Sequence, residues 1–271
     1  MKILHLSDLH VEPVGRLAYA KANTAERLIQ LGQWLHQNDH TYDAIAVTGD
    51  LSCDGNRQAY ELLRTIFSQM RRPCFMVPGN HDRRPGFLEI LGEFCQGAMS
   101  NDNLSHFAEF DDCRLCFLDT LQPGIHWGAL SEETLERLDR ELAKDDRPAL
   151  VFMHHTPVKS GMGYMDEPFG NGERLLEILS RYENVRLCTG HLHRPVVTLK
   201  AKTAIVTAPS VSLQMVLDLR PEGGDEFIFE TPGYALHTWR EDGWVTHFGQ
   251  LPFVSDFSGP HPFVGSVNPD E

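Results

Sequence analysis

No run of 18 apolar residues occurs in these 271 residues, so no membrane-spanning helix is expected. The start, Met1-Lys2-Ile3-Leu4-His5, leads straight into a strand-like pattern. It lacks the apolar stretch and cleavage site of a secretory leader, and a cytoplasmic protein is expected. Basic residues are scarce: 24 Lys and Arg stand against 38 Asp and Glu, a net charge of −14. That balance disfavours a large nucleic-acid surface, which needs a basic patch, but it admits a small phosphate-bearing substrate where bound cations reverse the local field. Cysteine is also sparse. Cys53, Cys74, Cys95, Cys113, Cys116 and Cys188 lie mostly inside apolar runs, and no second pair follows Cys113-x-x-Cys116. Buried free thiols are therefore expected, and not a zinc or redox site. There is no internal repeat and no clean linker. A hydrophobic content of 41% supports one large domain or a domain with an appendage.

What the chain does have is 14 histidines and an alternation of apolar runs with helical periods. Lys2–Leu6, Ala44–Val47, Cys74–Val77, Arg114–Leu118, Ala149–Met153 and Val185–Cys188 read as buried strands. Leu28, Leu31 and Leu35 place a helix over Asn23–Gln37 with Asn23 as its cap. Gln58–Met70 carries Ala59, Leu62, Leu63, Ile66, Phe67 and Met70 on one face. Ser131–Lys144 has a Ser cap, an acidic first turn and Leu135, Leu138 and Leu142 inward, and Gly172–Tyr182 repeats the period with Leu175, Leu176 and Leu179. Strand and helix in alternation predict an α/β fold. After His193 the rhythm changes. Val196–Lys200, Ala204–Thr207, Tyr234–Trp239 and Trp244–Phe248 read as strands with no helix between them, which predicts a mixed or two-sheet core. Arg220–Asp225 reads as a polar, Gly-rich loop, and the chain from Pro252 as irregular.

Five of the strand-like runs end in polar residues: Asp8 and His10; Asp50; Asn80 and His81; His154; His191 and His193. Singly, each has an ordinary explanation, since Asp or Asn after a strand turns the chain and a lone His is structural. Recurrence at five strand ends is different, because open α/β sheets build their sites there. Gly79-Asn80-His81-Asp82 is the densest case: a glycine that frees the backbone, then an amide, an imidazole and a carboxylate. Residues two apart in extended backbone point the same way, so Asp8-Leu9-His10 and His191-Leu192-His193 are each expected to send both members into one site. Oxygen and imidazole donors in this number exceed what one ion takes. They suit two ions about 3.5 Å apart that share a carboxylate. A mixed nitrogen and oxygen set admits Mn, Fe, Zn or Co.

Asp8-x-His10, Gly49-Asp50, Gly79-Asn80-His81-Asp82, His154-His155-x-Pro157 and Gly190-His191-x-His193 resemble, in order, the five motifs of the calcineurin-like metallophosphoesterases. The spacing is most similar to the class III cyclic nucleotide phosphodiesterases and the related glycerophosphodiesterases. The resemblance implies a four-layer α/β/β/α sandwich with a C-terminal β-rich extension. Residues 1–195 would form the catalytic core. Residues 196–271 would supply the remaining strands and a segment that walls the substrate pocket or joins subunits in a homo-oligomer. The resemblance also implies a ligand set: Asp8, His10 and His193 on one metal, Asn80, His154 and His191 on the other, and Asp50 bridging. Within the His-His pair, His154 aligns with the ligand.

The implied activity is metal-dependent hydrolysis of a small phosphodiester such as a 3',5'-cyclic nucleotide, with a glycerophosphodiester or a broader diester or monoester range as the alternative. A non-catalytic scaffold on this fold would be expected to have lost ligands. His81 would protonate the leaving oxygen, and Asn80 would help to stabilise phosphoryl charge. Many relatives place an Asp three residues after the bridging Asp, where it orients that histidine. Here the position is Cys53, with Asp54 next, so Asp54 is the expected orienting residue and Asp82 the alternative. In the tail, Phe253, Phe257, His261 and Phe263 are candidates to stack on a base or to cover the core.

Overall fold

The structure is a computed structural model that describes residues 1–241, 243–253 and 257–263. In chain order its elements are β1 (Lys2–Leu6), α1 (Thr24–Gln37), β2 (Ala44–Thr48), α2 (Arg57–Phe67), β3 (Cys74–Val77), α3 (Arg84–Leu91), β4 (His106–Glu109), β5 (Arg114–Leu118), α4 (Glu132–Leu142), β6 (Ala149–Met153), α5 (Gly172–Leu179), β7 (Val185–Thr189), β8 (Val196–Lys200), β9 (Thr203–Thr207), β10 (Gln214–Met215), β11 (Glu226–Phe229), β12 (Gly233–Arg240), β13 (Gly243–Gln250) and β14 (Ser258–Pro262). Asn23, Asn56 and Ser131 begin α1, α2 and α4 by accepting the backbone N–H of Glu26, Gln58 and Thr134.

Two sheets form the middle of the molecule, in the orders β13-β12-β1-β2-β3 and β4-β5-β6-β7-β9-β8. β1, β2 and β3 run parallel, as do β5, β6, β7 and β9, while β12 joins β1 antiparallel. Strand alternation sorts the side chains. Leu4, Leu6, Ile45 and Val47 face Leu28, Leu31, Leu63 and Phe87 of the helices on one side. Cys116, Leu118, Val151 and Met153 face Leu135, Leu138, Leu175 and Leu179 on the other. Ile3, Ala44, Ala46, Phe117, Leu150 and Phe152 fill the space between the sheets. The order of layers is thus α/β/β/α. Burial on both faces explains why these strands read as unbroken apolar runs instead of alternating ones.

The segment after His193 contributes to both sheets and adds a third, small one. β9 with β8 completes the second sheet and β12 with β13 the first, while β10-β11-β14 forms a separate sheet beside the strand ends. The irregular tail expected from Pro252 is corrected here: Ser258–Pro262 pairs antiparallel with β11. Its Gly and Pro content hides the strand signal, and such content is tolerated because β14 lies at the edge of its sheet. Of the tail residues singled out, Phe253 joins the core beneath α1 and α2, Phe257 is exposed, and His261 and Phe263 pack on Phe227. α3 was not expected from the sequence either, although Pro85 in its first turn is a legitimate start signal.

Candidate metal centre

The strand ends of both sheets meet at one place. Asp8, His10, Asp50 and His193 each offer a ligand atom within 4.8 Å of the others, and all four side chains are buried. His10 Nε2 and His193 Nε2 are 3.0 Å apart. A second group converges on His154 Nε2, with Asp50 Oδ2 at 3.3 Å, Asn80 Oδ1 at 3.1 Å and His191 Nδ1 at 3.2 Å. Asp50 Oδ2 also lies 3.6 Å from His10 Nε2, so this one carboxylate stands between the two groups.

Hydrogen bonds behind the rings fix which nitrogen faces inward. His193 Nδ1 donates to Leu213 O at 2.9 Å, which leaves its Nε2 as a lone pair. His154 Nδ1 donates to Thr48 O at 2.7 Å. Tyr19 Oη is 3.1 Å from His10 Nδ1. These are the outer contacts that orient imidazole ligands. Acceptor atoms and imidazole lone pairs directed at one another repel unless a cation lies among them, so the donor set fits metal ions.

The electrostatics agree. Burial holds His10 well below the ordinary histidine range and lowers His191 to about 3 and His193 to about 4, so all three are neutral and able to ligate. Burial raises Asp8 to about 7. Burial would lower His154 too, but the Asp50 carboxylate outweighs it and lifts His154 to about 9. Burial likewise opposes ionisation of Asp50, yet His154 and His81 hold that carboxyl well below its usual range. Without a metal, the buried carboxylates draw a proton to the position that a cation would take.

The local backbone is strained to achieve this. Asp8, His10, Asp50, His191 and His193 all have positive φ, from 46° to 70°, a conformation uncommon for residues with a Cβ and concentrated at functional sites. The expected extended backbone of the two X-x-His pairs is therefore corrected, although Asp8 and His10 still meet in one donor group. The chain turns through both pairs, and His191 faces His154 while His193 faces His10. Of the adjacent histidines, His154 reaches Asp50, whereas His155 is occupied by Thr120 Oγ1 and His126 O.

His81 is oriented by neither expected residue. Its Nδ1 donates to the backbone carbonyl of Cys53 at 2.8 Å. A backbone carbonyl is present whatever the side chain, so this contact does not depend on a carboxylate three residues after Asp50. Asp82 instead accepts the N–H groups of Leu51, Ser52 and Gly79 and the Tyr60 hydroxyl, and so locks the Asp50 and Asn80 loops together. Asp119, which also ends a strand, pairs with Arg84 and stays outside the site. Sequence reasoning missed Tyr19, His126 and Glu167. Glu167 is bonded to His126 Nδ1 at 2.7 Å and lies 3.9 Å from His191 Nε2. None of the three follows a strand, so the signal that found the others passes them by.

A Cβ at Gly79 would overlap the Asp50 carboxylate and backbone nitrogen. Gly79→Ala is accordingly expected to weaken metal retention by about 10–100-fold, the usual cost of disturbing the support of a ligand. Metal analysis after dialysis against a graded chelator reads this, and unchanged retention would show that the loop can shift without cost.

The calcineurin-like phosphoesterase family model matches residues 1–195. A protein named as a probable glycerophosphodiester phosphodiesterase, GpdQ, of Arcobacter nitrofigilis is 35% identical over 269 residues, covering 97% of this chain and 97% of that one. The 3',5'-cyclic adenosine monophosphate phosphodiesterase CpdA of Escherichia coli (strain K12) is 28% identical over 251 residues, 91% of this chain and 88% of its own. Among solved structures, a dimetal phosphatase from Danio rerio superposes with a TM-score of 0.70 at 15% identity over 96% of this chain and 99% of that one, a likeness of fold.

Proposed function

This chain belongs to the calcineurin-like phosphoesterase family, and on that premise we propose that it hydrolyses small phosphodiesters at a dinuclear metal centre. The observation that carries the reading is Asp50 Oδ2, at 3.6 Å from His10 Nε2 and 3.3 Å from His154 Nε2, a carboxylate placed to be shared by two ions. Asp8, His10 and His193 would hold one ion and Asn80, His154 and His191 the other, with Fe, Mn, Zn and Co all suited to the donors. Two bound cations would lower the pKa of a captured water and draw charge from the phosphoryl oxygens.

The residues of the chain supply the rest. The Cys53 carbonyl fixes the His81 ring, and His81 lines the cavity with its Nε2 free of hydrogen bonds among the described residues. In its charged form His81 gives the Nε2 proton to the leaving oxygen. Asn80 turns Oδ1 to His154 and keeps its Nδ2 to donate to a phosphoryl oxygen. In the reaction, the water gives a proton to solvent as its oxygen bonds to phosphorus, the bond from phosphorus to the alcohol oxygen breaks, that oxygen takes the His81 proton, and solvent returns a proton to His81.

The cavity over the site is about 310 Å³, the size of a small molecule. Two substrate classes come from the names of the relatives, the 3',5'-cyclic nucleotide and the glycerophosphodiester, and each carries one negative charge at phosphorus. The expected outcome is metal-dependent turnover of bis(p-nitrophenyl) phosphate with a higher kcat/KM than p-nitrophenyl phosphate. Preference for the monoester would replace diester hydrolysis by phosphatase activity, and turnover of neither would leave a scaffold.

A further inference from the structure

We propose that His5 and His237 are positioning residues for the metal centre, acting through a one-way chain of hydrogen bonds that crosses the core from Arg186 to the carbonyl that orients His154. The inference rests on the dinuclear reading above and extends it to residues outside both the cavity wall and the donor set.

Ser7, Thr48, His5 and His237 are fully buried. The direction of the chain follows from its inner end. The Ser7 hydroxyl donates to Thr48 O at 3.1 Å, so Ser7 Oγ is left to accept, and the Thr48 hydroxyl donates to it at 2.8 Å. With that proton spent, Thr48 Oγ1 accepts the N–H of His5 Nε2 at 2.8 Å. Burial lowers His5 to about 3 and holds His237 well below the ordinary histidine range, so each ring is neutral, with one N–H and one lone pair. His5 Nδ1 is therefore the lone pair, and it accepts from His237 Nε2 at 3.2 Å. His237 Nδ1 in turn accepts the Thr246 hydroxyl at 2.8 Å. At the outer end Arg186 Nη1, which can only donate, donates to Thr246 Oγ1. All four ring nitrogens of the pair are spent in this way, so Cys188, which lies beside them, finds no imidazole lone pair with which to share an ion.

Strand pairing builds the chain. β12 and β13 set His237 opposite Thr246, and β1 sets His5 two residues from Ile3, the direct partner of His237. Arg186 comes from β7 of the other sheet, so the chain spans both. At its inner end Thr48 O accepts His154 Nδ1 at 2.7 Å together with the Ser7 hydroxyl. In a buried core each bond of such a chain holds the next. Cutting it at His237 leaves His5 Nδ1 without a donor. The His5 ring is then free to change tautomer, the Thr48 hydroxyl to turn from Ser7 to His5, and the carbonyl behind His154 loses its fixed setting. The segment after residue 195 thus reaches the metal centre from behind.

The test has two readings, both on the full chain. Nitrogen-15 NMR of the zinc-loaded, histidine-labelled protein near neutral pH is expected to show His5 and His237 as neutral rings with the proton on Nε2. The Nδ1–H form in either ring would overturn the proposal. Metal retention in a graded chelator is expected to fall about tenfold in His237→Phe, the low end of what losing a ligand's supporting contact costs. It should recover in His237→Gln, whose amide N–H stands as many bonds from Cβ as His Nε2. Leu150→Ala, in the same core but outside the chain, should lower Tm and leave retention unchanged. Unchanged retention in His237→Phe, no recovery in His237→Gln, or an equal loss in Leu150→Ala would reduce the pair to packing. Failure of the unmodified chain to retain metal would sink the dinuclear reading as well, whereas retained metal that His237→Phe does not weaken sinks only the positioning role.

Discussion

Asp50→Ala is expected to empty the site of metal and reduce diester hydrolysis to background. Asp50 is the side chain within reach of both donor groups, and its backbone neighbourhood is committed to them: Asp50 Oδ1 accepts the N–H of His81 at 3.0 Å, and Asp50 O accepts that of His10 at 2.9 Å. Removing the carboxylate withdraws a ligand from each ion and leaves His10 and His154 without the acceptor that stands between them. The loss should exceed the roughly 10–100-fold in metal affinity that follows from removing a supporting residue, because here a ligand itself is lost. Asp50→Asn keeps the volume and removes the charge, so it should fall nearly as far. Plasma emission analysis of metal per chain, read beside turnover on the same sample, checks the result. Two retained equivalents with normal turnover would show that Asp50 does not bridge.

His81→Ala is expected to do the opposite with the metals and to cost nearly as much in rate. The His81 ring is held from behind by the Cys53 carbonyl and lies edge-on to His10 at 4.9 Å between centroids, yet it belongs to neither donor group. Metal content should therefore stay at the wild-type level. Loss of a general acid costs about 10²–10⁴-fold where the leaving alcohol is a poor one. With p-nitrophenol leaving, the loss should shrink, because that oxygen needs a proton less. The diagnostic is the comparison of an alkyl with an aryl diester in the same variant. Equal losses on both would assign His81 to positioning, and a fall in metal content would make it a ligand.

Much of this was legible in the sequence for a physical reason. Strands buried on both faces cannot hide: Arg114–Leu118 and Ala149–Met153 were readable to the residue because every position must be apolar or paired. The polar residues that end such runs stand out against them, and this is how Asp8, Asp50, His154 and His191 are singled out as candidates, which the structure brings together. What failed to show was whatever depends on backbone turning or on partners distant in the chain. Positive φ at His10 and His193 leaves no mark on the side-chain pattern. The Cys53 carbonyl that orients His81 is invisible to a search for carboxylates. β14 is a strand because β11 supplies its partner groups, not because Ser258-Gly259-Pro260-His261-Pro262 favours one. Asp225 reaches the cavity, and Glu167 reaches His126, from loops, where composition says little about direction.

The central claim is that two ions act together at donors gathered from five strand ends. It is tested most directly by titrating chelator-stripped protein with manganese or zinc while following both bound metal and bis(p-nitrophenyl) phosphate hydrolysis. The account predicts that activity rises until two equivalents are bound per chain and then levels off. Full activity at one equivalent, or hydrolysis that survives stripping, would contradict it.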